Sequence, residues 1–352
     1  MVGTADTTMT SNSLAMSNAS IGALPTFQPT PSPELDTLLS TFRSNVFLPS
    51  HLIKLQKDLL YRKKNHPLLT SDEPATVRLG DEVLQLHPLS HVEDEPKTRA
   101  SFAKALDLMT ETGDFKNLLG FLEGLRTARR SIKGYQLEKA VRRANASGRQ
   151  SIINDCLRRT ESTGLSLGDL RVAREVIWGA TLKAMQSEWS QEGVEKAAKY
   201  TENIWELMHD PRHHEKMHGL KDAKRRPEVL GVLVQLCAAR AKLGGDKSAV
   251  EKYASLMLSN WENGKEELAT EEEDWNDANY KLLMWAPVWH GITLAREVLG
   301  AQSSLGKRLG EKMSQDVEPL VKKCQEILSA NPPQEGIRRG LNMYERLSQV
   351  SL

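Results

Sequence analysis

Residues 100–169 repeat themselves at an offset of 35, and this self-similarity restricts the chain more than any other feature. Sliding one copy onto the other sets Gly113 on Gly148, Leu118 on Ile153, Phe121 on Cys156, Leu122 on Leu157 and Ile132 on Leu167. In each copy a helix-length segment (residues 101–112 and 137–147) is followed by a glycine and then by an apolar stripe at helical spacing. That order predicts helix, tight turn, helix. A single pair of this size cannot bury its apolar face, so tandem pairs imply a stack. The predicted fold class is all-α, an α-solenoid of about five helix-turn-helix pairs with a short N-terminal β-hairpin.

The remaining chain is read around that core. Residues 1–33 are rich in Ser, Thr, Pro and Ala and hold no Lys or Arg, which predicts a disordered tail unlike an Arg-rich presequence. Residues 34–99 are expected to form a basic helix, the hairpin and a linker. The helix is predicted over residues 49–64, with Leu52, Ile53, Leu55, Leu59 and Leu60 on one side and Arg62, Lys63 and Lys64 at its end. Cations there suit a helix dipole or a bound phosphate, and the pattern leaves both open. Val77, Leu79, Val83 and Leu86 flank Gly80-Asp81, a sequence suited to a type II′ hairpin turn.

Residues 100–352 form the predicted repeat domain. Its third pair has a long first helix over residues 170–189, a turn at Gly193 and a second stripe running from Val194 through Ala197, Ile204 and Trp205 to Met208. After a polar connector, Pro227 starts a helix and Gly244-Gly245 turns the chain. Val250, Tyr253, Met257 and Leu258 then face inward. Residues 262–277 are acidic and predict a solvated loop. Residues 280–299 are apolar, with a kink or shifted start expected at Pro287. Helices over residues 313–330 and 334–352 follow, the last as a polar-faced cap.

The step of 35, the glycines Gly113 and Gly148, the pairs Phe121-Leu122 and Cys156-Leu157, and the closing run from Ser162 to Asp169 resemble pentatricopeptide repeats. This is a tetratricopeptide-like helical-repeat class, and the likeness is to fungal mitochondrial proteins with degenerate repeats. The resemblance implies single-stranded RNA as ligand, read about one base per repeat. By register it implies Lys104 with Gly134, and Lys139 with Asp169, as reading positions. Both lysines stand where the family carries a small polar residue, which turns the expectation toward phosphate.

The net charge of +1 excludes attraction to nucleic acid by bulk charge. Residues 100–174, however, carry 14 Lys and Arg against 8 Asp and Glu. Lys104, Arg126, Arg129, Arg130, Lys133, Lys139, Arg142, Arg143 and Arg149, with Asp169, are the candidate RNA-binding residues. A solvated surface, or pairing with the acidic loop or an acidic partner, accounts for the same charges. His214-Glu215-Lys216-Met217-His218 matches the H-E-x-x-H pattern of zinc peptidases, but it follows Asp210-Pro211 in a connector and shows no third ligand. Trp178, Trp205, Trp261, Trp285 and Trp289 fit apolar stripes and are expected in the core. Cys156, Cys237 and Cys324 lie too far apart to read as a disulfide framework.

These readings predict a non-enzymatic scaffold that contacts RNA or a ribonucleoprotein and needs no cofactor, metal or membrane span. Mitochondrial gene expression, in the matrix, as a mitoribosome- or mRNA-associated factor, is what the resemblance implies. A purely protein-binding adaptor with a groove for a partner helix is the alternative. A zinc hydrolase at His214 and His218 is a minor one.

Overall fold

The computed structural model of the chain describes residues 23–71, 75–111, 113–213, 222–268, 274–330 and 338–352. These are mostly helical, with one two-stranded sheet among them. They fall into two units: the described residues up to Met109 together with Gly120–Ser131, and Thr110–Leu119 together with the described residues from Ile132 onward.

The first unit begins inside the expected tail. Leu24 is buried, the Pro25 carbonyl accepts from Arg43 Nε at 2.9 Å, and Phe27 lies 6.3 Å from both Phe47 and Phe121. The tail expectation is therefore corrected for residues 24–32, because two apolar side chains find a core despite the polar composition around them. Residues 1–22 lie outside the described residues. Helix α1 (Pro33–Phe42) starts where the Ser32 hydroxyl accepts the Leu35 N–H and Pro33 needs no partner. It runs through a π turn, Arg43–Phe47, into Leu48–His51.

The single helix expected over residues 49–64 is broken. Leu52 and Ile53 are extended, and α2 (Lys54–Tyr61) begins afresh with the Gln56 side chain accepting the Ile53 N–H at 3.0 Å. The break resets the helical phase, which leaves Leu55 60% exposed while Leu52 and Leu60 are buried. The hairpin forms as predicted. β1 (Thr76–Leu79) pairs antiparallel with β2 (Glu82–Gln85), Leu79 opposite Glu82, and Gly80 takes φ +61°. Helices α3 (Thr98–Leu108) and α4 (Lys116–Thr127) follow.

Five phenylalanines build the core of this unit. Phe42 meets Phe121 edge-on at 5.0 Å, and Phe47 and Phe102 lie 6.1 and 5.6 Å from Phe121. A Cβ on Gly124 would stand 2.5 Å from the Phe47 ring, so the backbone of α4 touches that cluster through a glycine.

In the second unit, α5 (Gly134–Ala146) turns at Gly148, φ +69°, into α6 (Gln150–Arg158). Gly113 does not mirror it. There the Asp114 carboxylate makes the turn by accepting the Thr110 and Glu111 N–H groups at 3.0 and 2.8 Å. The matched residues Leu118 and Ile153, Phe121 and Cys156, and Leu122 and Leu157 are all buried.

Helices α7 (Leu170–Gln186), α8 (Gln191–Leu207), α9 (Pro227–Lys242), α10 (Ser248–Ser259), α11 (Trp275–Leu299), α12 (Ser304–Lys312), α13 (Glu318–Ala330) and α14 (Arg339–Ser348) complete the unit. The α7–α8 turn falls at Glu188 and Trp189, φ 51° and 56°, and not at Gly193, which lies in the first turn of α8 under the Ser190 cap. Pro287 sits within an unbroken α11. The helix expected from residue 313 starts at Ser304 and passes through a π turn, Met313–Val317.

Helices α5, α7, α9 and α11 each pack on the next, while α8 and α10 pack on α9, and α12 and α13 on α11. A Cβ on Gly291 would lie 2.8 Å from the Gly231 carbonyl oxygen, so α9 and α11 cross backbone to backbone. The capping helix expected over residues 334–352 is α14, which lies on α11 and does not extend the series. Its N–H groups at Gly340 and Leu341 donate to Asn279 Oδ1 at 2.9 and 3.3 Å, and Tyr344 packs 5.2 Å from Trp289.

Candidate nucleic-acid interface

Four candidate residues belong to the first unit. Lys104 is exposed and ion-paired with Glu34. Arg126 is exposed on α4, and Arg129 is exposed just past its end, where φ 54° turns the chain and brings the Arg130 N–H to the Leu125 carbonyl at 2.8 Å. That turn sends Arg130 back onto Glu95, whose side chain is nearly buried.

Glu95 is a hub that the sequence reading did not find. Its Oε1 accepts from Tyr61 Oη at 3.0 Å and lies 2.6 Å from His91 Nδ1, while its Oε2 meets Arg130. Burial works against the charge on Glu95, but the hydrogen bonds from His91 and Tyr61, with the Arg130 charge, hold its carboxyl below the usual range. Burial, then the Glu95 charge, pushes the Tyr61 phenol up, so it stays a donor. The imidazole of His91 stacks on the Tyr61 ring, centroids 3.8 Å apart and planes 12° from parallel.

Six candidates belong to the second unit. Lys133 is exposed at the start of α5. Gly134, next to it, touches the end of the second repeat: a Cβ there would stand 2.0 Å from Asp169 Oδ2. Asp169 is fully engaged, since it caps α7 through the Arg171 N–H at 3.1 Å and takes the Arg171 guanidinium on both oxygens, at 3.1 and 2.9 Å. Lys139, Arg142, Arg143 and Arg149 are half-buried, and Arg142 bonds Glu138 at 3.3 Å. Burial, then the Glu175 charge, raises the pKa of Glu138.

Other charges lie deep in the same unit. Glu228 is wholly buried and takes Arg174 at 2.6 Å and Arg226 at 2.9 Å. Arg174, one of the cations that made the repeats look basic, is therefore an interior ion-pair partner. Glu175, also buried, holds Arg339 of α14 through both oxygens at 2.6 and 2.9 Å. Arg346 reaches the Met185 carbonyl at 3.0 Å. Thus α14 ties α7 to α11. Trp178, Trp261 and Trp285 are buried as expected, whereas Trp205 and Trp289 are half-buried and pack edge-on to Tyr253 and against Tyr344.

The zinc-peptidase pattern at His214 to His218 lies outside the described residues. Among those described, no group of His, Cys, Asp and Glu is placed to hold a metal ion. The neighbouring His213 is buried, with Nδ1 accepting the Leu167 N–H at 3.2 Å. The three cysteines are buried and not joined in a disulfide, and no described helix is long and apolar enough to cross a membrane.

Fold and surface together define a helical protein that shows cations along and just past α4 and at the start of α5. The chain belongs to the mitochondrial ribosomal protein mS27 family, whose sequence profile matches residues 11–346. It is similar to the small ribosomal subunit protein mS27 of Neurospora crassa, 27% identical over 256 residues that cover 67% of this chain and 64% of that protein. The match thus spans less than two thirds of the relative's length. The family's name accords with the mitochondrial ribonucleoprotein setting expected from the repeats.

Proposed function

We propose that the chain is a non-enzymatic subunit of the small subunit of a mitochondrial ribosome, working in the matrix as a helical-repeat scaffold that contacts RNA. The observation that carries this is family membership across nearly the whole chain. The serial packing of α5, α7, α9 and α11 supports a repeat array of pentatricopeptide type. RNA contact in this reading is to phosphate. Arg126, Arg129 and Lys133 are exposed, and Lys139, Arg143 and Arg149 are half-exposed. Lys104, Arg130, Arg142 and Asp169 are ion-paired with Glu34, Glu95, Glu138 and Arg171.

The test has two arms. Tagged full-length chain, expressed in its own cell, is expected to sediment with small ribosomal subunits. Purified protein is expected to bind mixed single-stranded RNA with an affinity falling by about 0.7 log units per log unit of salt for each phosphate held. Joint charge reversal of Arg126, Arg129, Lys133 and Lys139 should weaken that binding and reduce its salt slope. Cosedimentation that survives the reversal, together with no RNA binding by the purified wild type, would assign the chain a purely protein-binding role.

A further inference from the structure

The Tyr61–His91 stack differs from the other aromatic contacts of the first unit in being open on one side. Tyr61 covers one face of the imidazole at 3.8 Å, yet the His91 side chain remains 65% exposed. The ring is held on its edge as well as its face, because Glu95 takes His91 Nδ1 and Tyr61 Oη on one oxygen and Arg130 on the other. Its loop is tied down at both ends: the Leu89 N–H donates to the Leu60 carbonyl at 2.9 Å, and the Ser90 N–H donates to Asp94 Oδ2 at 2.7 Å. A ring fixed on three sides loses little freedom when something stacks on the fourth.

The surroundings favour one kind of visitor. The Leu60–Leu89 bond lays this loop along the C-terminal end of α2, where Arg62, Lys63 and Lys64 are all exposed, Arg62 in an ion pair with Asp58 at 3.1 Å. Arg130 adds a half-exposed guanidinium at the hub. Val92, which follows His91 in the chain, is an apolar side chain left 90% exposed. Glu95 is engaged within the chain, while Glu93 and Asp94 are both exposed, Asp94 with one oxygen taking the Ser90 N–H, so that two acids of the loop stand beside these cations. A flat π face flanked by cations fits an unpaired base and its phosphates.

We propose that His91, backed by Tyr61 and set by Glu95 and Arg130, is a base-stacking platform for single-stranded RNA, with Arg62, Lys63 and Lys64 meeting the adjacent phosphates. The site rests on the RNA-contacting reading above, but it is separate from the repeat residues that carry that reading. It also resolves the choice left open for the basic end of α2 in favour of phosphate.

The experiment compares two oligonucleotides, a mixed-sequence single-stranded RNA and an abasic ribose-phosphate strand of equal length, by fluorescence anisotropy on the full chain. Wild type is expected to prefer the base-bearing strand. His91→Ala should weaken binding to that strand about tenfold, as for one lost stacked base, and erase the preference while leaving the salt slope unchanged. His91→Phe should restore it, and a thermal melt of each variant checks the fold. If wild type binds both strands equally with the same salt dependence, or if His91→Ala keeps the preference, the platform is wrong and the phosphate-binding reading stands. If wild type binds neither strand, the RNA reading falls and the platform falls with it.

Discussion

In the first unit, Phe27, Phe42, Phe47, Phe102 and Phe121 meet around one centre, and the main ion cluster, at Glu95, lies near the surface. In the second unit, which holds all seven tryptophans, charge goes to the interior. Arg174 and Arg226 close on Glu228, Arg339 closes on Glu175, and Thr181, Gln235 and His290 are hydrogen-bonded in series at 2.7 and 2.9 Å. A phenyl cluster tolerates sliding, whereas a buried ion pair fixes helices at one register because any shift strands a charge. The difference suggests that the second unit is the more exactly specified of the two. It also predicts that each unit fails by its own route.

The largest effects should separate those routes. Phe121→Ala, which empties the phenyl cluster, should cost about 3–5 kcal/mol. Glu228→Ala, which leaves two buried guanidiniums without their anion, should cost a similar amount, about 3–5 kcal/mol. Chemical denaturation followed by limited proteolysis would show which unit opens first, and identical fragments from both variants would break the comparison.

Acid should act on the second unit before the first through His290. Burial, and then the Lys242 charge, lowers its pKa to about 4. The unfolded chain, near the ordinary value of about 6.5, binds the proton more readily. Stability is therefore complete above the unfolded value and is lost as pH falls from 6.5 toward 4, by up to about 3 kcal/mol. Denaturation midpoints at pH 7.5 and 5 should differ less in His290→Asn than in wild type, and an equal difference would remove His290 as the cause.

Smaller effects sharpen the picture of the first unit. Gly124→Ala pushes a methyl into the Phe47 ring and should cost about 1–3 kcal/mol, read from the midpoint of thermal unfolding. Arg129→Gly relieves a left-handed arginine and should raise stability by about 1 kcal/mol while weakening RNA binding at low salt. A drop in stability would mean that the arginine side chain holds the turn.

Much of the local structure was legible from the residues. Gly148, Gly80 and Pro227 act where they stand, because a left-handed turn or a first helical turn depends on one residue's own backbone preference. The apolar pairs at an offset of 35 are buried because helical period alone decides which side faces in. Local chemistry that competed with those signals was harder to see. Asp114 made a turn where Gly113 was expected to, and Glu188 and Trp189 made one ahead of Gly193. In the candidate interface the exposed cations were found by charge count, but the count could not tell Arg129 from Arg130 or Arg174. Which arginine turns inward depends on carboxylates 35 and 54 residues away.

The second unit also carries a step that the glycines did not announce. Arg174 to Glu228 and Thr181 to Gln235 span 54 residues, and Gln235 to His290 and Lys242 to Glu297 span 55. The contacts repeat along α7, α9 and α11 because each helix meets the next at the same level, through side chains with no shared local motif. By itself the sequence determined most of the helices, though not the break at Leu52 and Ile53 or the start at Ser304, together with the hairpin and the paired-helix start, since propensity, period and turn chemistry act over a few residues. Only the tertiary structure decided which charges are interior, that α14 lies on α11 and reaches back 164 residues to Glu175 of α7, and that His91 lies on Tyr61. Those outcomes depend on desolvation and close packing between segments far apart in the chain, which no short stretch of residues encodes.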